Sequence, residues 1–345
     1  IALSVCAFVF LAGWWQGRPV LEMLITAVSL AIAAVPEGLA AVVTICLALG
    51  MQRMVRRHAL LRRLPAVEAL GSATVICSDK TGTLTQNAMP VTRLYVDGEE
   101  IEVTGGGYEP RGEFRRATRP LEPAQEPDLL QLLRIGACCN DAHLLRSGEE
   151  SGRGLWRILG DPTEGALLAA AGKAGLDIEG LSRACPRVAE VPFTAERKRM
   201  TTIHRAEDGG LVAYVKGAPE GVLACSERIL ERGIVRPLTP ADRERVLAAN
   251  ARMAGAALRV LGLAYRELAT LPAEADESIE EGLVFVGLEG MIDPPRPEVA
   301  PALALAKRAG IRTVMITGDY PDTARAIAES IGLMRPGGED RKSVV

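Results

Sequence analysis

Histidine is scarce in this 345-residue chain, with three residues, and its seven cysteines include no Cys-x-x-Cys pair. The spacing that zinc sites and disulfide frameworks use is therefore missing. Cys138 and Cys139 are neighbours, which suits buried reduced thiols better than a bridge and points to a reducing, cytosolic setting for the soluble part. Charge of one sign is lacking too: 40 Lys and Arg against 43 Asp and Glu leave a net charge of −3. Without a dominant basic face, nucleic acid is not an expected partner. The chain lacks an initiating Met, a charged leader and a small-residue cleavage site; it opens on Ile1 inside an apolar run. That opening reads as a boundary within a membrane helix rather than a signal peptide, so a fragment of a longer protein is expected. No internal repeat or low-complexity tract is evident, and the length calls for two or three domains.

What the chain has is apolar sequence concentrated before Gly50. Ile1 to Trp15 is apolar apart from Ser4, ends in Trp14-Trp15, and gives way to a polar turn through Arg18 and Pro19. Paired aromatics at such an edge suit a membrane–water interface. From Met23 to Gly50 the only charge is Glu37, and the run exceeds the roughly 20 residues needed to cross a bilayer. Arg53, Arg56, Arg57, His58, Arg62 and Arg63 follow, so the positive-inside rule puts everything beyond them in the cytoplasm. Two long buried helices of a soluble protein are the alternative, disfavoured by the lack of polar spacing. A multi-pass protein of a bacterial-type plasma membrane is expected.

Beyond Pro65 the pattern becomes that of a soluble α/β protein. Strands are predicted at Ala73–Cys77, Arg93–Val96, Glu100–Val103, Leu211–Val215, Gly282–Val286 and Thr313–Ile316. Helices are predicted at Leu129–Cys139, Thr163–Ala171, Val299–Ala309 and Asp322–Ile331. Strand, helix, strand with loops at the strand ends is the grammar of a doubly wound domain. The long interval between its first strand and its later ones far exceeds a βα connection and reads as an inserted α+β domain. The expected layout is two membrane helices over 1–50, a stalk over 51–70, a doubly wound domain from 71–90 and 288–345, and the insert over 91–287.

Asp79 stands at the end of the first strand, where open α/β sheets place their ligand sites. A carboxylate there can attack phosphorus if cations, hydroxyls and backbone N–H groups offset the repulsion between anions. Lys80, Thr81, Gly82 and Thr83 supply those groups. An isolated Asp-Lys-Thr is more often a solvated turn, but Cys-Ser-Asp-Lys-Thr-Gly-Thr-Leu-Thr at a strand end is specific. Phosphatases with the same strand-end Asp carry a second Asp two residues later to protonate the leaving group and activate water. Here that position is Thr81, so an acyl phosphate on Asp79 should persist.

These residues resemble the P-type ATPases, and within them the calcium-pump-like group, over essentially the whole chain. SDKTGTLT (78–85) is similar to the phosphorylation motif, Pro36-Glu37-Gly38-Leu39 to the ion-binding break of the fourth membrane helix, DPTEGALL (161–168) and KGAPE (216–220) to nucleotide-site motifs, DPPR (293–296) to the hinge-side motif and TGD (317–319) to the phosphate loop. The resemblance implies a haloacid-dehalogenase-like phosphorylation domain, ATP and Mg²⁺ as cofactors, and ATP-driven cation transport through an aspartyl phosphate on Asp79. It makes Asp79 and Thr81 ligands of Mg²⁺, with Thr317, Gly318 and Asp319 holding the phosphoryl oxygens. It assigns Glu164, Phe193, Lys198, Lys216, Gly217, Arg259, Asp293 and Arg296 to the nucleotide side. It gives the transported cation the carbonyls of Ile32, Ala33 and Val35 with the Glu37 carboxylate, an all-oxygen set suited to Ca²⁺. Val35-Pro36 offers no soft ligand for a heavy metal, whereas sodium, potassium, proton and magnesium pumps can share the motif.

Several of these residues have a plainer reading. Asp161, Pro162 and Glu164 fit N-cap, N1 and N3 of a helix; an isolated Phe193 would be core and an isolated Lys216 surface; Asp293 and Asp319 could be turn residues. Ala40 and Ala195 stand where many relatives have a proline and an arginine. The aspartate loop that completes the family's Mg²⁺ site, the actuator domain and the later membrane helices are not in the sequence. The remaining segments of the pump are thus expected partners, beside the bilayer, and the chain alone is expected to bind nucleotide without transport and to phosphorylate poorly. A dehalogenase-like phosphatase and a non-catalytic nucleotide-binding membrane protein are the competing readings.

Overall fold

The computed structural model describes residues 2–34, 37–60, 62–63, 65–147, 155–206, 208–271, 276–318 and 321–335. The chain forms two compact units, Ile1–Val75 and Ile76–Val345.

The first unit holds four helices, α1 (Ala2–Trp15), α2 (Val20–Ala34), α3 (Glu37–Val55) and α4 (Pro65–Gly71). α1 packs on α2 because Gly13 has no side chain: a Cβ there would lie 2.2 Å from Met23 Cε. Met23 and Cys6 are buried at this contact, whereas Phe8, Trp15, Ile25 and Val42 are exposed. Val20–Val55 is long and apolar enough to cross a membrane by length and composition, with mean hydropathy 2.1. The run expected over Met23–Gly50 is two helices on either side of residues 35–36. Val35 and Pro36 lie outside the described residues, as does the side chain of Glu37. Ile32 and Ala33 belong to the last turn of α2, with their side chains exposed.

In chain order the second unit runs β1 (Val75–Asp79), β2 (Val91–Val96), β3 (Glu99–Val103), β4 (Phe114–Arg116), β5 (Arg119–Leu121), α5 (Pro127–Cys138), β6 (His143–Ser147), β7 (Leu155–Leu159), α6 (Pro162–Lys173) and α7 (Ile178–Ala184). It continues with β8 (Arg187–Val191), β9 (Arg199–Arg205), β10 (Leu211–Gly217), α8 (Pro219–Ala224), β11 (Ser226–Glu231), β12 (Ile234–Pro237) and α9 (Pro240–Gly255). β13 (Arg259–Leu268), β14 (Leu283–Met291), α10 (Val299–Arg308), β15 (Arg312–Ile316) and α11 (Pro321–Ser330) complete it.

Among the described residues eleven of these strands make one sheet, in the order β5-β4-β3-β2-β14-β13-β10-β9-β8, with β11 joining β14 and β12 joining β11. Neighbours along the main path are antiparallel. Leu94, Leu263 and Met200 pack with Leu133 of α5 and Leu167 of α6 in one core cluster. Val215, Phe285 and Leu288 pack with Val222 of α8 and Val246 of α9 in the other. The sheet is therefore covered on both faces, which is why β14 is buried along its whole length. The doubly wound sheet expected around Asp79 is represented among the described residues by β1 paired with β15.

Strands escaped the sequence reading where polar side chains are buried. β9 reads RMTTIHR, yet Thr201, Thr202 and His204 are all covered. His204 is satisfied at 2.9 Å by the Cys185 carbonyl through Nδ1 and at 2.9 Å by Thr202 Oγ1 through Nε2. Strand β14 was expected at Gly282–Val286 but continues to Met291, paired with β13 from Val284 across a register shift at Val286 and, from Gly287, with β2. Helix α9 was missed although it carries a reciprocal capping box, with Thr239 Oγ1 accepting from Asp242 N at 3.2 Å and Asp242 Oδ2 accepting from Thr239 N at 3.0 Å.

The β2–β3 turn is fastened by a carboxyl pair. Asp97 accepts from Arg232 N at 2.7 Å and Asp128, at the start of α5, accepts from Gly233 N at 2.7 Å. Burial, then the hydrogen bond from Asp128, pushes the Asp97 carboxyl up to about 6. A folded-state value above the unfolded one favours the fold below the unfolded value, and the benefit is lost as pH rises through about 6. Hydrogen exchange at the first turn of α5 is thus expected to quicken between pH 4 and 7 beyond the intrinsic rate, and to lose that extra slope in Asp97→Asn.

Candidate functional site

Asp79 is the last residue of β1, which runs two residues past the strand end expected at Cys77, and its side chain is exposed. The chain then turns within five residues. Gly82 takes φ +75°, a left-handed conformation that glycine adopts without cost. Thr85, fully buried, closes the turn: its N–H and hydroxyl both face the Lys80 carbonyl, at 3.0 and 3.1 Å, and its Oγ1 accepts from Gly82 N at 3.3 Å.

Two residues that the resemblance assigns to the nucleotide side brace this turn. Asp293, 7% exposed, accepts from Thr85 Oγ1 at 2.5 Å and from Ala88 N at 3.2 Å. The Arg296 guanidinium donates to the Thr85 carbonyl at 3.0 Å and the Gly82 carbonyl at 3.1 Å, while its own N–H donates to Leu84 O at 2.9 Å. The DPPR segment thus pins the loop beneath Asp79 from a point more than two hundred residues later. Thr85→Val leaves a buried carboxylate oxygen without its donor and is expected to cost about 1–3 kcal/mol, read by chemical denaturation.

Lys80 is buried, and Thr81 is exposed with an extended backbone. Thr317 and Gly318 follow β15, the strand paired with β1, and Asp319 lies outside the described residues. Among the described residues no three His, Cys, Asp or Glu side chains gather into a metal cage.

A second cluster lies at the C-terminal end of β10. Lys216, 8% exposed, donates from Nζ to Glu164 Oε1 at 2.6 Å and also to the Cys139 carbonyl. Glu164 was expected at N3 of its helix, and it is there. The Asp161 side chain caps α6, accepting from Thr163 N at 2.7 Å and Glu164 N at 3.4 Å. Burial would raise the Asp161 carboxyl, but those hydrogen bonds and Arg259 together bring it below its usual range. The Glu164 carboxylate does not close a capping box; it reaches Lys216 and accepts from Asp141 N at 3.1 Å. Capping therefore does not account for Glu164, and Lys216 is no ordinary surface lysine.

Gly217 is required by close approach, since a Cβ there would lie 2.5 Å from Lys198 O and from Arg199 Cβ. Phe193 is 61% exposed, so its ring is not core and is open to stacking. Lys198 follows in the same turn at φ +52°, and Arg259 is exposed at the start of β13.

The residue that holds this turn was missed. Glu280, 0% exposed, accepts from Arg197 Nη1 at 2.7 Å and Thr201 Oγ1 at 2.7 Å, and from Arg199 Nε. Arg197 also donates to the Pro192 carbonyl, so Glu280 sets the base of the segment that displays Phe193 and Lys198. Its local sequence, Ser-Ile-Glu-Glu-Gly, carries no sign of that partnership across 79 residues or more.

Comparison with known proteins agrees with this geometry. A family model described as P-type ATPase, cytoplasmic domain N, matches residues 128–298. Cation-transporting ATPase pma1 of Synechocystis is 44% identical over 344 residues, 98% of this chain and 37% of that protein. A calcium-transporting ATPase of Bacillus subtilis is 41% identical over 339 residues, 98% of this chain and 38% of that protein. Calcium-transporting ATPase type 2C member 1 of Bos taurus is 41% identical over 337 residues, 96% of this chain and 33% of that protein. The chain thus spans little more than a third of the relatives it matches. An exposed strand-end Asp on a braced turn, a buried Lys–Glu pair on a large separate sheet and likeness along nearly its full length have one common source: the chain belongs to the P-type cation-transporting ATPase family.

Proposed function

We propose that this chain carries the phosphoryl-acceptor and nucleotide-binding parts of an ATP-driven cation pump, with Ca²⁺ as the favoured cation. The observation that carries the reading is Asp79: an exposed carboxylate on a strand end, above a turn held rigid by Asp293 and Arg296. One Asp79 oxygen attacks the γ-phosphorus of ATP in line with the departing ADP, forming the acyl phosphate. Bound Mg²⁺, held by Asp79 and Thr81, would neutralise charge on the transferring phosphoryl group. Thr317 and Gly318 hold its oxygens, Asp319 being assigned with them by motif. Thr81 offers no carboxylate to activate water, so the phosphoenzyme outlives the transfer.

On the nucleotide side, Phe193 stacks on the base with Lys198 beside it, Glu164 meets the base next to Lys216 at the end of β10, and Arg259 bridges the phosphates. Asp293 and Arg296 act as positioning residues for the loop of Asp79. Residues 1–50 are proposed as membrane helices, matching the third and fourth of the family, in a multi-pass bacterial-type plasma membrane. Residues 51–70 form the stalk on the cytoplasmic side, with a haloacid-dehalogenase-like phosphorylation domain at both ends of the inserted nucleotide domain. Because β14 stays in the large sheet to Met291, the return crossing is placed at Ile292–Asp293 rather than after residue 287. The cation site comprises the carbonyls of Ile32, Ala33 and Val35 with the Glu37 carboxylate, beside ligands from other segments of the pump.

Ion-stimulated phosphorylation of the full-length protein tests the choice of cation. Micromolar Ca²⁺ is expected to raise the phosphoenzyme level, and Glu37→Gln to shift half-stimulation upward by at least about tenfold, since one oxygen ligand loses its charge. Stimulation by Na⁺ or K⁺ instead of Ca²⁺ would overturn the assignment.

A further inference from the structure

β14 contributes a charged side chain to the middle of the sheet. Glu289 is 0% exposed, and neither of its carboxyl oxygens has a hydrogen-bond partner among the described residues. A buried group of this kind is costly and calls for an explanation. Its cross-strand neighbours are Leu261 on β13 and Leu94 on β2. From above, α5 meets it with a glycine: a Cβ on Gly136 would lie 2.9 Å from Glu289 Oε1, 3.4 Å from Leu167 Cβ and 3.4 Å from Leu263 Cδ2. The bare backbone of α5 is what leaves room for the carboxyl.

Lys216 is the charged residue that bears on it. Leu263 of β13 lies between the two, paired directly with Lys216 and in the core cluster above Glu289. Both side chains approach the last turns of α5, Glu289 at Gly136 and Lys216 at the Cys139 carbonyl. The counter-charge of Lys216 is Glu164. A carboxyl buried with neither oxygen partnered is held in its neutral, protonated form, and burial pushes it well above its usual range against the pull of Lys216.

We propose that Glu289 is the reserve counter-charge of the nucleotide-site lysine, giving up its proton when bound nucleotide separates Lys216 from Glu164. The proposal rests on the reading that nucleotide binds at Lys216. The Lys216 ammonium donates to Glu164 and the Cys139 carbonyl, so a nucleotide whose uncharged base takes up the Glu164 carboxylate beside Lys216 leaves a buried cation without its anion. The Glu289 O–H bond then breaks, its electron pair stays on the carboxylate, and the proton passes to solvent base. The net charge beside α5 is thereby preserved, and the sheet need not move. Lys216 on β10 bears on Glu289 and, with Glu164 on α6, on Cys139 of α5, whereas β2 and β13 present leucines beside Glu289. Among these groups Glu289 holds a proton that ionisation turns into a counter-charge on the sheet side of Lys216; burial holds the Cys139 thiol up as well. Glu289 acts through Lys216 and is a positioning residue.

Calorimetric titration of the chain in detergent with the non-hydrolysable analogue adenylyl methylenediphosphonate, in buffers of low and high ionisation enthalpy, tests this. Wild type is expected to release a substantial fraction of one proton per nucleotide near pH 7. Glu289→Gln and the volume-matched Glu289→Met are expected to bind the analogue with release reduced to background and the pH profile of affinity flattened. Binding without release in the wild type, or the same release in a folded variant, would overturn the proposal. No binding of the analogue at all would overturn the nucleotide reading beneath it.

Discussion

Asp79→Asn in the full-length protein is expected to abolish acid-stable label from γ-labelled ATP, a loss of roughly 10³-fold or more of the kind seen when a covalent nucleophile is removed. The amide has the same shape but no anionic oxygen to attack phosphorus. Nothing in the fold depends on the charge: the Asp79 side chain is exposed, and the turn after it is held by Thr85, Asp293 and Arg296. ATP affinity should therefore persist in the variant, because the Lys216–Glu164 cluster belongs to the large sheet. Label surviving the substitution would remove Asp79 from the role. Loss of label together with loss of nucleotide binding would mean that the variant misfolds, and circular dichroism separates that outcome.

The largest expected effect on stability is at Glu280. Glu280→Ala removes the one carboxylate shared by Arg197, Arg199 and Thr201. The Arg197 and Glu280 side chains are 9% and 1% exposed, so water does not replace what is lost. Breaking such a buried pair from one side costs about 3–5 kcal/mol, because the remaining charge stays buried without its partner. Arg197 retains Glu277 at 3.2 Å, but that carboxylate is mostly exposed and compensates little. The Phe193–Lys198 segment should loosen as well, since Arg197 ties it to Glu280 through the Pro192 carbonyl. The expected readout is a lower denaturation midpoint together with weaker nucleotide binding that Glu280→Gln rescues only in part. Unchanged nucleotide affinity in a destabilised variant would confine Glu280 to stability.

Much of the site was legible in one dimension because the motifs are local. SDKTGTLT and KGAPE each lie within a strand end and the turn after it, so spacing along the chain is also spacing in the structure. The N-cap of α6 was readable for the same reason, as Asp161 bonds two and three residues ahead. What escaped involves partners far apart in sequence. Asp293 reaches back to Thr85, Lys216 to Glu164, and Glu280 to Thr201. By itself Asp293 could be a turn residue, Lys216 a surface lysine and Glu164 a cap, and Glu280 carried no signal at all, until the fold brought their partners within 3 Å.

The amino-acid sequence by itself determined the character of Asp79: a strand-end carboxylate with Thr81 where hydrolases place an acid, behind an apolar stretch long enough to cross a bilayer. Those are properties of neighbouring residues, set by local backbone preference and side-chain chemistry. Only the tertiary structure decided which polar groups are buried and with whom. It turned Asp293 and Arg296 into the braces of the turn after Asp79, made Glu164 the partner of Lys216, and placed Glu289 unpaired in the core. Burial and counter-charge depend on how strands distant in sequence pair and on which helix covers them, and no run of adjacent residues carries that information.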